Sequence, residues 1–405
     1  MNRSLLLHAV FSRMWRYKLK TLFMALGIVV SVVATVLLHT VAGSVRESFT
    51  TFIEESYPAD TILVMAGSGF MGGGEGRTDL KLPDVETVAA SVPVEDWDPV
   101  IYAGGRDVRA GGVSDEVGVV GHSERAATVR RRSAQAGQFF TDDEVLRRAK
   151  VALLGSTTAE ALYPDRSPIG EQIFIDGVPF EIRGVLETIG TDPHGNDQDD
   201  TIQVPYTTLM DTLLKRDYIS GVTFTIADRT RSGEIADEIR RVLREQHRIG
   251  EGQEDDFSVL TSALMNDLLD RSFGTFDIFV PLIAGTAFLI SLVVILAIML
   301  VSIKGRVAEI GLRKAVGARA RDVQIQIVLE VLVVSVVASL VGLLLAQAGG
   351  AALTPMLAES FGVQRVVPPV TVLVIAVLAA MATGLLGGVW PARRAAKLDP
   401  VETLR

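Results

Sequence analysis

Apolar residues gather into four stretches that contain no Asp, Glu, Lys or Arg: Thr21–Val45, Ile278–Ile303, Val331–Ala358 and Val366–Ala392. Each exceeds the roughly 20 helical residues needed to cross a ~30 Å hydrocarbon layer, so the pattern predicts four transmembrane helices. The first apolar run is longer than the roughly 7–15-residue core of a cleavable signal and is read as a retained anchor. The gaps are very unequal. About 230 residues separate the first two stretches, enough for one large or two small domains. The expected fold class is a four-helix membrane protein with a large α+β extracytoplasmic domain between spans 1 and 2.

The periodicities on either side of the spans add detail. Leu7, Phe11, Met14 and Trp15 fall on one helical face, with Arg13, Arg16 and Lys20 on the other, so 1–20 reads as a helix lying in the membrane interface. Val45, Phe49, Phe52 and Ile53 continue the first helix outward as a stalk ending near Tyr57–Pro58. A second stalk, about Thr261–Phe273, leads into span 2. Between the stalks, Thr61–Met65 reads as a strand. Gln172–Ile175 and Phe180–Val185 form a hairpin about Asp176-Gly177, and Val222, Phe224 and Ile226 alternate at period two. Ile235, Ile239, Val242 and Leu243 mark an amphipathic helix.

Charge sets the orientation. Residues 1–20 hold five Lys/Arg and no acid, 304–327 hold six and the tail after Ala392 four, whereas the short loop between the last two spans holds only Arg365. The positive-inside rule places both termini in the cytoplasm. The expected order is 1–20 interfacial helix, 21–45 span 1, 46–277 outer domain, 278–303 span 2, 304–327 cytoplasmic loop, 328–358 span 3, 359–365 outer loop, 366–392 span 4 and 393–405 cytoplasmic tail. The outer segment carries 23 basic and 42 acidic residues, a net −19 that disfavours nucleic acid as a partner.

Candidate chemistry is sparse. The chain has no Cys, which excludes disulfides, thiolate metal sites and a Cys nucleophile. Gly67–Gly76 (GSGFMGGGEG) lacks the Lys and Ser/Thr of a phosphate loop. His8, His39, His122, His194 and His247 show no paired ligand spacing, and Asp192–Asp200 (DPHGNDQDD) reads as a solvated acidic loop rather than a cation site. Ser156 does not sit in a nucleophile elbow. No metal, catalytic residue or cofactor is expected in this chain. The spans carry no charge, and only His39 toward the outer end of the first is ionisable, which disfavours an ion pathway through them. Gly384 and Gly388, and Ser335 and Ser339, are spaced for close helix contact, within the bundle or across a dimer seam.

The loop Lys304–Gln326 has the composition of a short rigid helix offered to a cytoplasmic partner. Glu309 and Arg313 pair at i, i+4; Ile310, Leu312, Ala315 and Val316 supply apolar contacts; Gly311 and Gly317 allow close approach and a stop. Pro391 is placed to close the last span, beside the interfacial Trp390 and the basic Arg393, Arg394 and Lys397.

EIGLRKAVGAR (Glu309–Arg319) resembles the loop that couples permeases of the MacB/FtsX-like ABC-transporter superfamily to their ATPase. WPARRAAKLDPVETLR (Trp390–Arg405) resembles the family's C-terminal signature, with Pro391, Arg393, Arg394 and Pro400, and Arg16–Ala34 resembles its first span. Val151–Glu187 and Asp199–Leu209 resemble the MacB-type periplasmic core. The match is collinear through nearly the whole chain. The resemblance implies that Glu309, Ile310, Gly311, Leu312, Arg313, Lys314, Ala315, Val316, Gly317 and Ala318 form the ATPase-coupling segment. Since no nucleotide-binding domain precedes the first span, it further implies separate cytoplasmic ATPase subunits, two copies carrying Mg-ATP. A second permease copy or paralogue, an extracytoplasmic partner protein and membrane lipids are the other expected partners. The function implied is a permease subunit that passes ATP-driven motion to the outer domain, for export or release of a lipoprotein, lipid, peptide or drug-like substrate. The alternative is a membrane receptor or a regulator of an extracytoplasmic partner such as a cell-wall hydrolase.

Overall fold

The computed structural model describes residues 18–67, 80–164, 166–317, 319–363 and 365–397. The expected interfacial helix ahead of Lys18, the glycine-rich segment past Gly67, Ala318 and Pro400 lie outside the described residues.

Four long helices run Lys18–Ser56, Ser262–Lys304, Ala320–Phe361 and Val370–Ala396, each long and apolar enough to cross a membrane. The first three, at 39, 43 and 42 residues, overrun their apolar stretches, since a helix that long spans roughly 60 Å. Val45, Phe49, Phe52 and Ile53 lie on the extension of the first, which stops at Ser56, immediately before Tyr57-Pro58. The last helix does not close at Pro391. It runs five residues further, with Pro391 buried inside it. A proline removes only one backbone donor, and the residues that follow it, Ala392 and Ala395, are buried in the bundle.

Small residues set the approach of the four helices. Ser31 Oγ in the first donates to Ala287 O in the second at 2.8 Å, and a Cβ on Gly27 would stand 3.2 Å from Ser291 Oγ. One on Gly342 would meet Val32 at 2.9 Å, and one on Gly387 would meet Ile295 Cγ2 at 2.8 Å. Gly384 faces Ser335, and Gly388 faces Val331. The GxxxG pair is therefore occupied within the protomer, packing span 4 on span 3, and is not left for a dimer seam. The buried seam of the bundle includes Met24, Ile28, Val32, Ile295, Met299, Val331, Val334, Ala376 and Ala380.

The bundle also contains a charge that the apolar pattern did not signal. Glu330, one residue ahead of the third charge-free stretch, lies well inside the helix Ala320–Phe361 and is 5% exposed. Charge is thus present inside the helices, at one end.

The inserted domain is built on a ten-stranded mixed sheet. In chain order the strands are β1 (Thr61–Ala66), β2 (Asp96–Ala110), β3 (Val113–His122), β4 (Ala134–Gly137), β5 (Val151–Leu154), β6 (Gln172–Ile175), β7 (Val178–Leu186), β8 (Thr201–Pro205), β9 (Gly221–Thr225) and β10 (Phe257–Thr261). They lie in the order β10-β1-β9-β2-β3-β8-β5-β7-β4, with β6 pairing β2 and β7. The fifteen-residue β2 joins the two halves: its start pairs with β9, and after a register shift between Tyr102 and Gly105 it continues along β3. Gly104, at φ +71°, sits in that shift, in backbone that L residues avoid. The β6–β7 hairpin turns at Asp176 (φ 47°) and Gly177 (φ 79°), the two left-handed positions of a type I′ turn.

The helices Leu82–Ser91 and Ser232–Gln246 pack beside the β10-β1-β9 half. Ile235, Ile239, Val242 and Leu243 join Val85, Val88, Ile62, Val222 and Phe224 in one core that continues to Ile173, Phe180 and Ile182. A single apolar core across both halves makes this one domain.

Candidate functional site

Between the second and third spans lies a nine-residue helix, Val307–Ala315. Its sequence favours a helix in this direction, with acidic Glu309 in the first turn and basic Arg313 and Lys314 in the last, each opposite in sign to the nearby end of the helix dipole. Arg313 bonds Glu309 at 2.7 Å one turn away. Gly317 follows the C-terminal end at φ +100°, and its N–H donates to Lys314 O at 3.1 Å.

One face is fixed to the bundle. Ile310 and Gly311 are buried, Arg313 donates to Gln326 Oε1 at 3.1 Å, and Lys314 Nζ donates to the Ala396 carbonyl at 3.0 Å, at the end of the last span. The other face is bare. Leu312 is 58% and Val316 83% exposed, four residues apart and so on one side. Exposed Ala308 and Ala315 flank them, and the paired Glu309 and Arg313 are half-exposed beside them. Such a surface, apolar at its centre with a charged rim and a rigid back, suits docking of a protein partner. The ten residues expected to act together thus divide by face, and Ala318 falls outside the described residues. In the C-terminal signature, Pro391 and Ala392 are buried, Arg393 and Arg394 are exposed, and the Arg394 guanidinium lies 5.7 Å from the centre of the half-exposed Trp390 ring.

Directly behind this helix sits a buried ionic group that the sequence reading missed. Glu330 of the third span accepts from Lys20 Nζ of the first span at 3.2 Å and from Arg306, the residue preceding the short helix, at 3.2 Å. Glu309, Ile310 and Arg313 line the same small cleft as Arg306, Gln326 and Glu330. The one available sequence signal was an acid at the edge of an apolar run, at the end that the basic 304–327 segment adjoins.

The outer domain holds its own buried ionic group. The Asp98 side chain, fully buried in β2, accepts from Ser123 N and Oγ at 2.8 Å each, from Arg130 Nε at 2.9 Å, and contacts His122 Nδ1 at 2.8 Å. Burial alone would raise the carboxyl's pKa. The His122 ring, the Arg130 charge and the Ser123 donor outweigh it and hold the pKa at about 2. Burial in turn pushes His122 below its usual 6.5, so at neutral pH the ring is neutral and donates Nδ1–H while Arg130 carries the opposing charge. Ser123 Oγ points at Asp98 rather than at the ring, so the three do not form a nucleophile and base.

The acidic segment Asp192–Asp200 is only in part the solvated loop its composition suggested: Asp197 and Asp200 are exposed, whereas Asp192 and Asp199 are buried. Asp192, 6% exposed, accepts from the His194 and Asn196 amides at 2.8 and 2.9 Å and from the Asn196 and Gln198 side chains at 3.1 Å. Asp199, 1% exposed, accepts from Ile189 and Gly190 amides. These carboxylates are occupied by N–H donors, and among the described residues no group of three or more His, Asp or Glu is placed to hold a metal.

Comparison with known proteins agrees with this architecture. The profile of the MacB-like periplasmic core domain matches residues 21–242, and that of the FtsX-like permease C-terminal region matches residues 281–400. The macrolide export ATP-binding/permease protein MacB of Hyphomonas neptunium is 32% identical over 394 residues, 95% of this chain and 58% of that protein. The protein of the same name from Bdellovibrio bacteriovorus is 31% identical over 405 residues, 98% of this chain and 61% of that one. This chain therefore spans about three-fifths of the length of these relatives. The crystal structure of the periplasmic region of MacB from Actinobacillus actinomycetemcomitans aligns at 20% identity and TM-score 0.47, covering 54% of this chain and 95% of that one. With the first profile covering more than half of the chain and the second most of its remaining spans, this multi-pass membrane protein belongs to the MacB/FtsX-like permease family.

Proposed function

We propose that the chain is a permease subunit that receives ATP-driven motion from an ATPase in a partner chain and passes it through its first two spans to the outer domain, which exports or releases a substrate outside the membrane. In this reading both termini and the helix Val307–Ala315 face the cytoplasm, as the basic residues of 304–327 and of the tail favour. Two permeases and two ATPase subunits, the latter binding Mg-ATP, make up the assembly. The observation that carries the reading is the two-faced short helix: anchored by Ile310, Arg313 and Lys314 to the spans, it leaves Leu312 and Val316 to water. An apolar pair held on a rigid support has little to do in an isolated subunit and much to do in a docking socket.

Two further features support it. The first two helices run without a break from the spans into the domain, at Lys18–Ser56 and Ser262–Lys304. Where they become stalks, Phe52 and Ile53 of one pack with Met265 and Leu269 of the other, so displacement of either is felt by its neighbour. The test is purification of the affinity-tagged chain from its host membranes, with ATP hydrolysis measured in the eluate. An ATP-hydrolysing subunit recovered with the wild type and lost from a Leu312→Asp, Val316→Asp variant supports the assignment. Equal recovery with both, or no hydrolysing subunit with either, overturns it.

A further inference from the structure

We infer that Glu330 is the positioning residue that ties movement of the short helix Val307–Ala315 to the first span, through Arg306 on one side and Lys20 on the other. The inference rests on the coupling function proposed above and specifies the path. Two helices and the turn between two others supply the group: Lys20 lies in the first turn of Lys18–Ser56, Glu330 in the third span, and Arg306 in the two-residue turn between Lys304 and Val307. Both cations are 3.2 Å from the carboxylate, one on each oxygen. All three side chains are largely buried, at 14%, 9% and 7% exposure for Lys20, Arg306 and Glu330.

Burial gives this group its leverage. A buried ion pair adds little net stability, because desolvation offsets the attraction, yet breaking it by displacing one partner is strongly unfavourable. Segments that share one carboxylate therefore move together or lose the pairing. A rigid tie of this kind conveys displacement better than apolar contacts, which slide at small cost. Arg306 is placed to sense the partner. Ile310 N donates to the Arg306 carbonyl at 3.0 Å, so a push on the outward face of the helix acts directly on its first turn. Lys20 is placed to respond, because the helix it begins runs without interruption to Ser56 in the first stalk. The helix pair at the stalks closes the path.

The chain lacks Cys, so spin labels can be placed at Glu54→Cys and Asp270→Cys, exposed positions on the two stalks. The labelled permease is reconstituted in lipid nanodiscs with the ATP-hydrolysing subunit recovered in the purification above, and the label separation is compared with ATP and with ADP. Glu330→Gln keeps the side-chain volume and removes the charge; Lys20→Met leaves Arg306 and Glu330 paired and cuts only the arm to the first span. Both variants are expected to bind the ATPase as the wild type does and to hydrolyse ATP, while the ATP-dependent shift in separation is largely lost. Recovery of the shift in Lys20→Arg, which keeps the cation, but not in Lys20→Met separates an ionic tie from a packing role. Variants that bind the ATPase and shift as the wild type does overturn the inference and leave the coupling function standing. A wild type that recruits no ATPase overturns both.

Discussion

Asp98 and Glu330 are both buried carboxylates held by basic side chains, yet they sit in opposite kinds of surroundings. Asp98 takes its partners from adjoining parts of one domain: His122 and Ser123 at the end of β3, and Arg130 just beyond, which itself bonds Thr223 of β9. Every partner belongs to one sheet or its immediate connection, so the group acts as a rivet. Glu330 instead joins the first and third membrane helices and the turn after the second, from partners 310 and 24 residues away, with no strand pairing to hold them. Similar chemistry fixes a fold in one place and links movable elements in the other.

The first way to sharpen that contrast is Asp98→Ala. It strands the buried Arg130 and is expected to remove about 3–5 kcal/mol from the outer domain, read as lost hydrogen-exchange protection in β2, β3 and β9 of the full-length protein. Glu330→Gln, in the same measurement, should leave those strands protected. Gly384→Val tests packing in the bundle: its methyl groups would enter the space of Ser335 and cost about 1–3 kcal/mol, seen as a lower unfolding temperature of the detergent-solubilised protein with the outer strands unchanged.

Acid should separate the regions further. The folded His122 ring has a pKa below 6.5, so between that value and 6.5 the unfolded chain binds more protons and stability falls as pH drops through 6.5. Asp98, at about 2 when folded against 3.8 ordinarily, contributes stability that is complete above 3.8 and is lost as pH falls toward 2. Both act in one direction. Protection factors in β2 and β3, with the intrinsic pH dependence of amide exchange divided out, should therefore fall on acidification from pH 7 to 5, and fall again below 4. The smallest stability effect is expected for Leu312→Asp with Val316→Asp, within about 0.5 kcal/mol because both side chains face water. The same pair should nevertheless abolish retention of an ATPase.

What the sequence made legible was local or repetitive. Spans follow from apolar runs, and the β6–β7 hairpin follows from Asp176-Gly177, because a two-residue turn carries its backbone requirement in those two residues. The apolar half of the short helix was likewise readable at Ile310, Leu312 and Val316. Which of them faces the spans was not, because that depends on the helix being tethered by Lys314 to a carbonyl 82 residues further on. Gly384 and Gly388 announced a close approach but not the partner, since small residues fit a helix of the same chain as well as one from another. Glu330 was hidden by adjacency to an apolar run. Asp192 and Asp199 were misread as solvated because their partners are mostly backbone amides, which every sequence supplies and none advertises. Pro391 was read as a stop because its missing donor was counted without the burial of Ala392 and Ala395 beyond it.

The account stands or falls on whether work done at Val307–Ala315 reaches the stalks. The most direct measurement is the distance between labels at Glu54→Cys and Asp270→Cys in the membrane-reconstituted permease bound to its ATPase, with ATP and then with ADP. The account predicts two separations that interconvert with nucleotide, and a single nucleotide-independent one when Leu312 and Val316 are replaced by Asp. One unchanging distance in the wild type, with the ATPase bound and hydrolysing, would contradict it.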